Sequence, residues 1–289
     1  MAARVIVNRI WQHHFGRSLV ATPGDFGLRG EPPTHPELLD WLASELVRNG
    51  WHLRAIHRLI LMSAAYQQST AFDESGAKLD PENRLWWRRQ PVRLEAEALR
   101  DAILSVSGCL NRKLYGPAVK PPVQPEAIYY ADARYDQWPK DVRDGPATWR
   151  RSIYVFTKRS NLFPFLQTFD SPSAIGSCTR RNLTTVAPQA LALLNDDFVR
   201  DQARHFAERI LLESAAGSAS RVTCVYELAL GRKPSQDELA KSIRFLEEQR
   251  QQYQSDIGPE STSLSRSSMS ALIDFCQALI AANEFIYID

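Results

Sequence analysis

Long apolar runs are missing from this 289-residue sequence: no stretch approaches the roughly 20 apolar residues that a membrane-spanning helix requires. Its start, Met-Ala-Ala-Arg, has neither the basic n-region nor the apolar core of a signal peptide, so the chain as it stands is expected to be soluble and unexported. Cysteine is scarce, with Cys109, Cys178, Cys224 and Cys276 far apart. Without a C-x-x-C pair, zinc-ribbon spacing and covalent haem attachment are excluded, and the cysteines are expected as free thiols. No excess of one charge is present: 35 basic residues against 33 acidic ones leave a formal charge of +2. That balance gives no reason to expect a nucleic-acid or membrane-surface partner. A fixed-period repeat is absent too, which argues against a solenoid.

Lysine is also rare. Only 7 of the basic residues are lysines and 28 are arginines, planar forks that match carboxylate, sulfate or phosphate. Hydrophobic residues at 44% are ordinary for a globular chain and enough for a sizeable core.

The pattern of apolar residues predicts a mainly α protein: a multi-helix orthogonal bundle in one domain over 1–289, with a small β element. Helices are expected over 2–15, from Thr34 to Gly50, 53–67, 92–110, 188–215, 219–230, 235–254 and 267–283. Thr34 with Glu37 and Ser235 with Glu238 fit the capping box. Residues 70–90 read as a polar connection. The segment 110–150 reads as a long irregular insertion rich in proline and aromatics, and 255–268 as a mobile Ser-rich loop. Arg151 to Thr157 alternates β-branched and aromatic residues and is the best strand candidate.

The densest run of special residues is NRIWQHHFGRSLVATPGDFGLRGEPPTHPELLDWL, from Asn8 to Leu42. His13 and His14 point about 100° apart on a helix, so both cannot ligate one ion without a break, and no H-E-x-x-H or H-x-x-x-H completes a set. No metal site is expected. Asp25-Phe26-Gly27 lacks the glycine-rich and catalytic-loop companions of a kinase, and reads as a turn in which Gly24, Gly27 and Gly30 permit positive φ. No G-x-S-x-G nucleophile elbow is present.

Further along, Arg93, Glu97, Arg100 and Asp101 form a charged stripe at helical spacing. With Arg150-Arg151, Lys158-Arg159, Asp170 and Arg180-Arg181 they either fasten one another internally or hold an anionic ligand. The candidate acid–base residues are Asp25, His35, Glu97, Asp101 and Asp170. The candidate ligand-binding residues are Arg93, Arg100, Arg151, Arg159, Arg180 and Arg181 with the aromatic Tyr129, Tyr130 and Trp138.

The Asn8–Leu42 run, RLEAEALRDAIL, WRRSIYVFTKR, FDSPS, RRNLTTVAPQALALLND and the closing NEFIYID together resemble the planctomycete PSD-one domain, a domain of unknown function, over nearly the whole chain. The resemblance supplies no catalytic residues. It implies a C-terminal module of exported proteins that carry a c-type cytochrome-like module upstream and occur beside sulfatase-like proteins. Any haem then belongs to that upstream module and no cofactor to this chain, and the setting is exported or periplasmic. The expected role is binding or docking in a redox or polysaccharide-processing system, with acidic or sulfated glycans as ligands. The alternatives are an acid–base or metal-assisted hydrolase and a purely structural scaffold.

Overall fold

A computed structural model describes residues 1–123, 138, 142–159, 162–257 and 261–288, without the side chains of 256–257 and 261–265. The fold is mainly α with a small β element, and among the described residues no helix is long and apolar enough to cross a membrane. The chain divides into two compact units, Met1–Arg93 with Tyr287–Asp289, and Leu94–Ile286.

In the first unit, α1 (Ala2–Phe15), α2 (Pro36–Arg48) and α3 (Leu53–Leu61) bury the apolar stripes that their spacing dictates. Val7, Ile10, Trp11 and Phe15 of α1 meet Leu39, Leu42 and Leu46 of α2 and Ile56 and Ile60 of α3. Trp86 completes this core, 5.0 Å from the Phe15 ring and 5.6 Å from that of Trp11. Gly16 ends α1 in the left-handed region at φ 73°, a conformation that a side chain would strain. Helix α4 (Glu74–Leu79) lies inside the stretch expected to be a polar connection. Its start is marked by Asp73, whose carboxylate accepts from the Gly76 N–H. β1 (Val92–Arg93) pairs antiparallel with β2 (Tyr287–Ile288), with Val92 opposite Ile288 and Arg93 opposite Tyr287.

The second unit holds α5 (Ala96–Val106), α6 (Pro164–Thr168), α7 (Ala187–Asn195), α8 (Asp197–Glu213), α9 (Ser218–Leu230), α10 (Gln236–Ile257), α11 (Ser261–Ile280) and α12 (Asn283–Ile286). α11 packs on α10 and α8. Val199, Ala203, Phe206 and Ile210 of α8 are fully buried, as are Cys276 and Ile280 of α11. Polar clamps tie these helices: Arg200 reaches Asp274 and Gln277, and Gln277 donates to the Leu193 and Leu194 carbonyls. All four cysteines are free.

Several expectations are corrected. The strand expected at Arg151–Thr157 is a 3₁₀ turn, Ser152–Tyr154, flanked by two isolated parallel bridges, Asn111 with Arg150 and Val119 with Val155. Val155 is buried and Ile153 exposed, and no partner strand runs alongside among the described residues that is long enough to form a ladder. The helix expected over 188–215 is two, because Asp196 caps α8 by accepting from the Phe198 N–H. Arg93 stands in β1 and not on the helix of Glu97 and Asp101. Much of the expected Ser-rich loop is helical, residues 255–257 in α10 and 261–268 in α11. Packing of the apolar face Ala271, Leu272, Phe275 and Cys276 outweighs the weak serine preference.

The Ser235–Glu238 capping box forms as read, with both reciprocal bonds present. The Thr34–Glu37 box does not. His35 is the N-cap of α2, and the Thr34 N–H and hydroxyl both go to the Leu19 carbonyl.

What holds the loop after α1 is Asn8. It is fully buried, its amide donates to the Val20 carbonyl at 3.2 Å, and its carbonyl accepts the Val20 N–H at 2.9 Å. Asn8→Leu should lower the unfolding free energy by about 1–3 kcal/mol, since it strands the Val20 N–H in the core while the Val20 carbonyl keeps the Ser18 hydroxyl at 2.7 Å. Denaturant titration showing a loss under half a kcal/mol would contradict this.

Candidate functional site

In the first unit, Asp25 closes a turn of its own making. Its Oδ1 accepts the Gly27 N–H at 2.8 Å, and its carbonyl accepts the Thr22 hydroxyl at 2.9 Å. None of Gly24, Gly27 and Gly30 has a positive φ, contrary to the expectation. Gly30 is required for a different reason: a Cβ there would stand 2.1 Å from the Asp25 carbonyl oxygen. His35 bonds through Nδ1 to the Thr34 hydroxyl at 3.0 Å. Both expected acid–base candidates of this unit are therefore parts of a folded loop.

A contact that the sequence did not announce joins α1 to α3. His14 Nε2 lies 2.8 Å from His57 Nδ1, with Tyr66 edge-on to the His14 ring and Arg89 over the face of Tyr66. Burial first, then the neighbouring His57, His13 and Arg89, hold the His14 pKa below its ordinary value.

In the second unit the charged residues of α5 fasten the chain around them. Arg100 is fully buried and donates to the Thr148 and Arg150 carbonyls at 3.0 Å and to the Ser152 hydroxyl at 3.3 Å. No carboxylate is in contact with it among the described residues. Burial pulls its pKa to about 10 against the opposing pull of Asp101 and Asp144, so it stays charged at neutral pH. Asp101 accepts the Ser152 N–H at 2.6 Å and meets Arg151 at 3.4 Å. Glu97 is 2.5 Å from Arg181, which also reaches Glu95 at 3.5 Å.

Asp170 sits at φ 63°, a left-handed conformation that aspartate tolerates. Its carboxylate gathers the Thr184 N–H and hydroxyl and the Gln189 amide at 2.9–3.2 Å. The internal fastening expected of Glu97 and Asp101 thus includes arginines, and that of Asp170 includes Thr184 and Gln189.

The expected binding residues sort accordingly. Arg93 and Arg100 are buried, and Arg151 and Arg181 are ion-paired. Trp138 is no exposed platform: it is buried, donates to the Pro121 carbonyl at 2.7 Å and stacks on Phe163 at 6.0 Å. Tyr129 and Tyr130 lie outside the described residues. Arg159 and Arg180 are exposed and make no side-chain bond among the described residues.

One cavity meets the predicted set, at about 280 Å³. Glu97, Thr157, Ser171 and Ser173 supply its polar lining, and Phe156 and Phe163 its rings. The aromatic Phe163 and the serines of FDSPS were not singled out from the sequence as site residues. Nothing local separates them from ordinary core and turn residues.

An open groove of about 580 Å³ carries Cys109, His205 and Glu208, with His205 Nδ1 3.1 Å from Glu208. Burial, reinforced by Asp144 and Glu208, pushes the Cys109 thiol up, the opposite of an activated nucleophile. Among the described residues no three His, Cys, Asp or Glu side chains gather as a metal would need.

A family model described as PSD1, protein of unknown function (DUF1553), matches residues 1–246. The chain belongs to this family. The matched residues include every candidate acid and arginine named above. No curated protein and no solved structure matches the chain.

Two predictions come from this geometry. Arg100→Leu leaves three buried acceptors without their charged donor, each such bond being worth about 1.5–3 kcal/mol, so unfolding free energy should fall by at least about 3 kcal/mol in denaturant titration. Folding lowers the His14 pKa below about 6.5, so the unfolded chain takes up more protons as the pH drops past that value. The stability due to this group is present above about pH 6.5 and is lost on acidification. Denaturation midpoints at pH 7.5 and 5.0 should differ less in His14→Gln than in the parent; equal differences would refute the assignment.

Proposed function

We propose that the chain is a binding module whose ligand, a glycan bearing acidic or sulfate groups, occupies the 280 Å³ cavity of the second unit. The carrying observation is the composition of that lining. Aromatic rings suit the C–H face of a sugar, while Glu97, Thr157, Ser171 and Ser173 offer acceptors and hydroxyls for its O–H groups. As an ion-paired carboxylate, Glu97 accepts hydrogen bonds and is poorly suited to donating a proton.

The two unpaired arginines follow lining residues closely in the chain, Arg159 two residues after Thr157 and Arg180 two after Cys178. They are the forks left to meet a sulfate or carboxylate. The hydrolase reading is weaker, because Glu97, Asp101 and Asp170 are each held by separate donors in place of converging on one free volume. The pure scaffold reading is weaker because the fastened residues leave a lined cavity open. The ligand class also suits the cytochrome-like and sulfatase-like neighbours that the family resemblance implies.

Titration calorimetry of the full chain with sulfated and neutral oligosaccharides should show saturable binding of both, tighter for the sulfated ones. Glu97→Gln should weaken both classes tenfold or more, consistent with loss of a charge-assisted bond of about 1.5–3 kcal/mol. The double variant Arg159→Ala, Arg180→Ala should weaken the sulfated class selectively. No heat at millimolar ligand would sink the proposal.

A further inference from the structure

A second cavity of the same unit, about 310 Å³, is lined by four carboxylates where the first has one. Its apolar side is built on three rings, Phe163, Phe165 and Phe198, with Phe165 edge-on to Phe198 at 5.5 Å. Phe163 lines the first cavity too. The polar side is four aspartates, Asp144, Asp196, Asp197 and Asp201, and no basic residue lines the cavity among the described residues.

The carboxylates are unequally engaged. Asp144 accepts from the Thr148 hydroxyl and the Trp149 indole, and Asp201 pairs with the half-exposed Arg204. Asp196 accepts the Phe198 N–H through one oxygen, while Asp197 has no partner among the described residues. Burial holds the Asp196 carboxyl above its ordinary range, against the lowering effect of the Phe198 N–H. The cavity thus sets four carboxyl groups against an aromatic wall.

A bare metal ion does not fit this chemistry, since no three ligating side chains gather among the described residues and most of the lining is carbon. A charged group with an apolar surface does fit. The protein itself supplies an instance on the same rings: the Arg100 guanidinium carbon lies 5.3 Å from the Phe198 centroid and 6.0 Å from that of Phe163. Ring faces attract cations, and the attraction grows as water is excluded.

We propose that this cavity is a binding site for an organic cation, an alkylammonium or alkylguanidinium group, whose chain lies against Phe163, Phe165 and Phe198 and whose charge faces Asp196 and Asp197. The site is independent of the glycan cavity: its ligand has the opposite charge, and its carboxylates are different residues. Asp196 is both the cap of α8 and part of the cavity lining.

The test uses the full chain and nuclear magnetic resonance titration with n-butylammonium and n-butylguanidinium chloride, against 1-pentanol and sodium pentanoate. The indole N–H signals of Trp138, stacked on Phe163, and Trp149, bonded to Asp144, are the reporters. The expected result is saturable movement of these signals with the cations only, and an affinity that falls as sodium chloride is raised. Asp196→Asn with Asp197→Asn should weaken binding at least tenfold; asparagine caps a helix as well as aspartate, so the melting temperature should stay within a few degrees. Equal response to 1-pentanol, unchanged affinity in a folded double variant, or saturation by calcium chloride with none by the organic cations would each overturn the assignment. Loss of glycan binding in Glu97→Gln leaves this titration unaffected, so the two sites fail or stand separately.

Discussion

A guanidinium buried without a contacting carboxylate among the described residues organises the second unit. Desolvating a cation is costly, and only dense hydrogen bonding offsets it. Arg100 meets that demand by drawing two backbone carbonyls and a hydroxyl from residues 148–152 onto α5. Once that segment is anchored, Asp101 takes the Ser152 N–H. Arg150 gathers the carbonyls of Lys113, Tyr115 and Pro117, so the described part of the insertion is laid against the same support. The long irregular stretch is ordered by side-chain donors in place of a β-ladder, which is why its strand-like composition yields only isolated bridges.

The same economy runs through both units. Residues that stand out in the sequence as chemically special mostly satisfy backbone groups: Asn8 for Val20, Asp25 for Gly27, Thr34 for Leu19, Asp170 for Thr184. Loops without regular structure must place their N–H and C=O groups somewhere, and short polar side chains do this at fixed geometry. Binding capacity is then left to what the fasteners enclose. In the second unit that is a pair of cavities with Phe163 in both linings, one carrying Glu97 and hydroxyls, the other four aspartates.

This division of labour explains how much of a long, specific signature can serve the fold itself. Arginine is well suited to the fastening role, since its planar fork holds two or three acceptors at once and stays charged when buried. Arg100, Arg150 and Arg181 use that property inside the fold, while Arg159 and Arg180 keep it for solvent or ligand.

The helical class, the apolar faces of α1, α2 and α3, the Ser235–Glu238 cap and the free thiols were all legible in the sequence, because periodicity, capping and cysteine spacing are local properties. The fastening of Glu97 and Asp101 by arginines was legible as one of two outcomes, since buried charge demands a partner but does not say which. Residues 150–157 and 255–268 were misread because packing and long-range hydrogen bonds outweigh propensities of a few tenths of a kcal/mol per residue. Which arginines remain free, that Trp138 is core and that His14 meets His57 were decided only by the tertiary structure. Each depends on which side chains far apart in sequence come within a few ångströms, and no local pattern encodes that distance.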